Sequence, residues 1–75
     1  MDKKRLKVGI IGCGGICRYA HVPAYEKMDN VEIVAACDII PERAEEVARL
    51  TGAKHTFADY KELLKLPEID AVDIC

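Results

Sequence analysis

Four short apolar runs, separated by longer segments of helical pattern, constrain this chain more than any other feature. The runs are Leu6 to Ile11, Val31 to Cys37, a weaker one from Lys54 to Phe57, and Ala71 to Cys75, which follows the turn-like Pro67-Glu68-Ile69-Asp70. Near-continuous apolar runs of about four to eight residues suit strands covered on both faces, as in a parallel sheet. After the first run, Ile16, Ala20, Ala24 and Met28 recur at four-residue spacing and predict one inward helix face. Pro23 falls inside this pattern, which predicts a kink or break near Val22. Pro41 suits the first position of a second helix, and Glu42 suits the positive end of its dipole. Ala44, Val47 and Ala48 then face inward, and Gly52 is the expected stop. Asp59 with Glu62 resembles a capping box that starts a third, short helix through Leu63 and Leu64, ending before Pro67. Alternation of strand and helix predicts an α/β fold: a parallel sheet with right-handed crossovers, strand order 3-2-1-4 and helices on both faces.

The 75 residues allow one small domain at most. A domain of this size buries only roughly 60% of the surface its unfolded chain exposes, so marginal stability is expected. The formal net charge of -2 offers no basic face for nucleic acid and no polybasic patch for a membrane. Lys3, Lys4, Arg5 and Lys7 read as a solvated lead-in to the first strand. No apolar stretch approaches the roughly 18 residues of a membrane span. The run from Val8 to Ile16 is interrupted by four glycines, so it lacks a signal-peptide core. A cytoplasmic location is the expectation, with Cys13, Cys17, Cys37 and Cys75 as reduced thiols.

Chemistry concentrates where the first run ends. Val8-Gly9-Ile10-Ile11-Gly12-Cys13-Gly14-Gly15-Ile16-Cys17 reads as G-x-G-x-x-C, a variant of the fingerprint that binds dinucleotides. Gly12 allows the tight turn out of the strand, and Gly14 leaves room for a pyrophosphate against bare backbone. The third position needs a small side chain for close helix–strand packing, and Cys17 is slightly larger than the usual glycine or alanine. The anion is expected on N–H groups around Gly14, Gly15 and Ile16. A glycine turn alone is weak evidence. Here an apolar strand precedes it, a helical pattern follows, and an acid ends the next strand. That acid is Asp38, 21 residues after Cys17, against an expected spacing of about 20. A carboxylate there accepts hydrogen bonds from the ribose hydroxyls and repels the 2′-phosphate of NADP. Ile39 and Ile40 offer no cation to that phosphate, and Arg43 is the nearest candidate, so NAD is favoured over NADP. A plain N-cap role before Pro41 is the bland reading of Asp38. These features make the expected fold a partial Rossmann fold.

The same residues resemble the N-terminal domain of the glucose-fructose oxidoreductase / inositol dehydrogenase (Gfo/Idh/MocA) family. The resemblance rests on Val8 to Ile16, His21-Val22-Pro23-Ala24-Tyr25, Val31 to Asp38, Pro41-Glu42-Arg43-Ala44-Glu45, Asp59 to Leu64 and Pro67 to Asp73. Their order and spacing are more specific than any one of them. The resemblance implies an NAD(P)-dependent oxidoreductase acting on a sugar, cyclitol or related polyol. It also implies a second domain that forms the substrate pocket and a homo-oligomer interface. Ile39 and Cys75 join Gly12, Cys13, Gly14, Gly15, Ile16 and Asp38 as expected cofactor-binding residues. Members carry a Glu-Lys-Pro motif some twenty residues beyond the fourth strand, with the lysine in proton transfer. That motif has no counterpart in residues 1–75, so no residue here is assigned catalysis. The chain is expected to be the N-terminal part of a dinucleotide-binding domain, truncated and inactive alone.

Other constellations carry less. Cys13, Cys37 and Cys75 end three neighbouring strands, with Cys17 one helical turn from Cys13. Paired Cys-x-x-Cys spacing is lacking, and free cysteine is commonly a small buried apolar residue, so no metal is expected. His21 reads as a packing or surface residue, and His55 as structural or exposed. Two alternatives to the oxidoreductase reading are a non-catalytic NAD-binding or sensing module and an S-adenosylmethionine-binding methyltransferase-like domain. The unpaired edge of the fourth run predicts association between copies.

Overall fold

The computed structural model describes residues 5–15 and 17–75. Among these, β1 (Leu6–Ile11), β2 (Val31–Cys37), β3 (His55–Phe57) and β4 (Ala71–Ile74) form one parallel sheet in the order β3-β2-β1-β4. This is the expected α/β topology. α1 (Val22–Glu26) and α2 (Pro41–Thr51) cover one face, where Val22, Ala44 and Val47 pack with Val8, Ile10, Ile33 and Ala36. α3 (Tyr60–Leu64) covers the other, where Leu63 packs with Val34, Ala35 and Cys37. Each large apolar side chain fully buried this way contributes about 1.5–3 kcal/mol.

β2 contains an irregularity that its uniformly apolar sequence does not announce. Val8 pairs with Ile33, but Gly9 pairs with Ala35, so Val34 is the extra residue. Ile33 therefore faces α1 and α2, while Val34 and Ala35 both pack toward α3. Such a bulge bends the strand and increases its twist. Gly9 lies opposite. A Cβ there would come within 2.8 Å of both Ile69 Cδ1 and Leu63 Cδ2, so the α3 layer packs on bare backbone.

The helix after the glycine turn departs from expectation. Cys17–His21 is a π-helical turn, and regular α-helix begins at Val22. The expected break thus falls where Pro23 removes an N–H donor. The inward face differs, however. Ala20, Ala24 and Met28 are exposed, and Ile16 lies outside the described residues. Cys17 and Val22 are the buried positions, with Tyr25 packed at the edge of the core. The wider π turn changes the angular phase, so the simple four-residue spacing selects the wrong stripe.

α2 behaves as expected. Pro41 occupies the first turn, Ala44 and Val47 are buried, and Gly52 ends the helix in a left-handed conformation with its N–H donating to Ala48 O at 2.8 Å. Its N-cap is Ile40, so the N-cap role weighed for Asp38 does not hold. In α3, Asp59 Oδ1 accepts from the Lys61 N–H at 2.9 Å. The Glu62 carboxylate pairs with Lys65 Nζ at 3.1 Å instead of reaching back to close the box.

Candidate functional site

The C-terminal ends of β1, β2 and β4 meet at the glycine turn. Gly12 has φ of 89°, a left-handed value that costs an L-residue roughly 1–2 kcal/mol. Its N–H donates to Cys37 O at 2.8 Å, and a Cβ on it would lie 3.2 Å from the Cys75 carbonyl oxygen. The turn therefore requires glycine here for both conformation and space. Gly14 is different. Among the described residues, the nearest atom to a Cβ there would be Arg43 Nη1, at 4.0 Å. Packing among the described residues gives no reason for a bare backbone at Gly14.

Asp38 is built into the same corner and is only 8% exposed. Its Oδ2 accepts from the Cys13 N–H and its Oδ1 from the Ile40 N–H, both at 2.8 Å. Two backbone donors offset the cost of burying a carboxylate. A carboxylate offers about four lone-pair sites, so acceptor capacity remains toward a ligand. The carboxylate thus ties the glycine turn to the entry of α2.

A cavity of about 380 Å³ opens here, lined by Gly12, Gly14, Asp38, Ile39, Arg43, Tyr60 and Cys75 among others. It brings together five of the residues expected from the sequence: Gly12, Gly14, Asp38, Ile39 and Cys75. Cys13 is fully buried, its thiol donates to Cys37 O at 3.4 Å, and its N–H is spent on Asp38. Its contribution is to hold the acid. Gly15 packs beside the Tyr19 ring, 3.8 Å from its would-be Cβ, and Ile16 lies outside the described residues. Arg43 and Tyr60 were missed as site residues. The former was visible as the nearest cation to Asp38; the latter carried no signal of its own.

The four cysteines are free. Burial, followed by the Asp38 charge, pushes the Cys13 thiol up to about 11. Burial and a hydrogen bond with Cys17 push Cys75 up to about 12, and burial raises Cys17 as well. These thiols hold their protons and are poor nucleophiles. His21 Nδ1 lies 2.7 Å from Asp73 Oδ2, and the Tyr25 hydroxyl donates to the same oxygen at 2.9 Å. Burial and this bond push the Tyr25 phenol up to about 12. The packing or surface role expected for His21 omits this contact.

A parallel sheet of this order, a left-handed glycine at its first strand end and a held acid at its second are features of a dinucleotide-binding fold. The family described as an oxidoreductase family with an NAD-binding Rossmann fold matches residues 6–75. The chain belongs to this Gfo/Idh/MocA oxidoreductase family. Within it, the chain is 37% identical over 71 residues to D-apiose dehydrogenase from Paraburkholderia graminis, covering 95% of this chain and 19% of that enzyme. Myo-inositol dehydrogenase from Lactobacillus casei, solved with NAD(H) and myo-inositol, is 36% identical with a TM-score of 0.84, over 95% of this chain and 21% of that one. A 3-ketoreductase from Actinomadura kijaniata, solved with NADP, is 29% identical with a TM-score of 0.84, over 92% of this chain and 21% of that one. This Gfo/Idh/MocA chain thus spans about a fifth of the length of the relatives it matches. Their structures hold NAD(H) in one case and NADP in another. Among the described residues, no helix is long and apolar enough to cross a membrane.

Proposed function

We propose that residues 1–75 form the nucleotide-holding part of an NAD-dependent oxidoreductase that acts on a sugar, cyclitol or related polyol. The observation that carries this reading is the contrast at the turn. Gly12 is required by its positive φ, whereas Gly14 lines the Asp38 cavity and, among the described residues, a Cβ there would meet only the end of the Arg43 side chain. A pyrophosphate needs that room. Asp38 would accept from ribose hydroxyls with the lone pairs its two backbone donors leave free. The nicotinamide of such a cofactor supplies hydride transfer with a carbinol carbon. The part played by this chain is to bind and orient it, and turnover would need residues from outside these 75.

NAD is the favoured ligand because a fixed carboxylate at Asp38 repels a 2′-phosphate. Arg43 is the specific observation on the other side, since its guanidinium reaches the turn and would offset that repulsion for NADP. A cytoplasmic location fits four free thiols. Association of copies through the outer edge of β4 would appear as a dimer in sedimentation equilibrium.

Parallel equilibrium titrations with NAD, NADP and S-adenosylmethionine test the reading. Tighter binding of NAD than of the other two is expected. A preference for S-adenosylmethionine would replace it with the methyltransferase-like alternative.

A further inference from the structure

We propose that His21, Asp73 and Tyr25 form a clamp that positions the end of β4 against the glycine turn and so sets affinity for the phosphate part of a dinucleotide; this rests on the reading of that turn given above. The three side chains come from the π turn, β4 and α1, and the two bonds between them span 52 and 48 residues of sequence. Both converge on one carboxylate oxygen. An ionised carboxylate only accepts, so His21 Nδ1 carries the proton in this contact. Hydrogen bonds to an ionised group are the strong class.

What the clamp holds is the wall of the site. Two residues beyond Asp73, the Cys75 N–H donates to Ile11 O at 2.9 Å. The Cys75 carbonyl oxygen would lie 3.2 Å from a Cβ placed on Gly12, so the two backbones lie side by side. Moving the end of β4 therefore moves the surface on which the turn rests. β4 pairs with β1 from Val8–Ala71 to Ile11–Ile74, and Asp73 is the one side chain of the strand that is partly buried. Asp38 stands at the end of β2, on the opposite side of β1, and its bonds go to Cys13 and Ile40 rather than to any residue of β4. Cys75 Sγ lies within 4.8 Å of His21 and Asp73 ligand atoms, a donor set that would suit a divalent ion. The ring nitrogen and carboxylate oxygen already satisfy each other at 2.7 Å, which favours positioning over ligation.

The test uses the full chain with His21→Leu, Asp73→Ala, the milder Tyr25→Phe, and His21→Gln, which retains an N–H donor. Amide hydrogen exchange is read at Cys75 and Gly12, and affinity is read for NAD and for adenosine, which lacks the pyrophosphate. Exchange at Cys75 should accelerate about tenfold in the first three variants, with Gly12 unchanged. NAD should bind about tenfold more weakly, adenosine equally well, and His21→Gln should recover most of the loss. Unchanged exchange at Cys75 in folded variants overturns the clamp, as does equal weakening of NAD and adenosine. If the unsubstituted chain binds no NAD, the reading of the turn fails, while exchange at Cys75 still decides whether the clamp holds β4.

Discussion

On one side of β1, β2 is buried from Ile33 through Cys37 and delivers Asp38 into a corner where two backbone N–H groups hold it. On the other side, β4 leaves Val72 38% and Ile74 73% exposed and is tied to the turn by Asp73, Cys75 and their polar partners. Both sides contribute a wall to one cavity. The first wall is fixed by apolar packing, and the second by pairing with β1 and the hydrogen bonds of Asp73. Binding energy for a ligand can therefore be lost on the β4 side without unfolding the protein, whereas damage on the β2 side should cost the fold itself.

The largest expected effect separates the core from the edge. Ile33→Ala, at a buried position of β2, should cost about 2–5 kcal/mol in chemical denaturation. Ile74→Ala should change stability by less than about 0.5 kcal/mol. Similar costs at the two positions would erase the distinction between the sides. Next comes the acid. Asp38→Ala removes the acceptor of the Cys13 and Ile40 N–H groups, so a loss of about 1–3 kcal/mol is expected, together with loss of NAD binding in a titration. The paired glycines sharpen the comparison further. Gly12→Ala should cost about 1–2 kcal/mol because of its positive φ, read from the thermal midpoint. Gly14→Ala should leave that midpoint nearly unchanged and weaken NAD binding by about tenfold or more.

A further effect is expected in alkali. Cys13 is raised from 9.0 to about 11, Cys75 from 9.0 to about 12, and Tyr25 from 10.0 to about 12. The folded chain holds these protons more tightly than the unfolded chain, so their contribution is complete below pH 9 and is lost as pH rises from there toward 11 and 12. The thermal midpoint should be flat from pH 7 to 8.5 as far as these groups are concerned and fall progressively above about pH 9. A midpoint that stays level to pH 11 would show that burial does not hold the thiols neutral.

Features governed by local rules were legible in the sequence. Gly12, Gly52, Pro41 and Asp59 stand where backbone chemistry demands them, and the four apolar runs became the four strands. Asp38 was legible through its distance from the glycine turn. What the sequence concealed depends on phase or on distance along the chain. The bulge at Val34 left no mark in a run that is apolar on both faces. The π turn before Pro23 rotated the inward stripe from Ala20 and Ala24 to Cys17 and Val22. Arg43 reaches Gly14, and His21 reaches Asp73, only through the packing of separate elements.

The most direct test of the account is an amide chemical-shift titration of the labelled chain with NAD. Saturable shifts confined to Gly12, Gly14, Asp38, Ile39 and Cys75, with the remote Gly52 and Thr56 unmoved, are the expected result. A dispersed spectrum in which those five amides ignore NAD would contradict the claim that the glycine turn and Asp38 form a dinucleotide site.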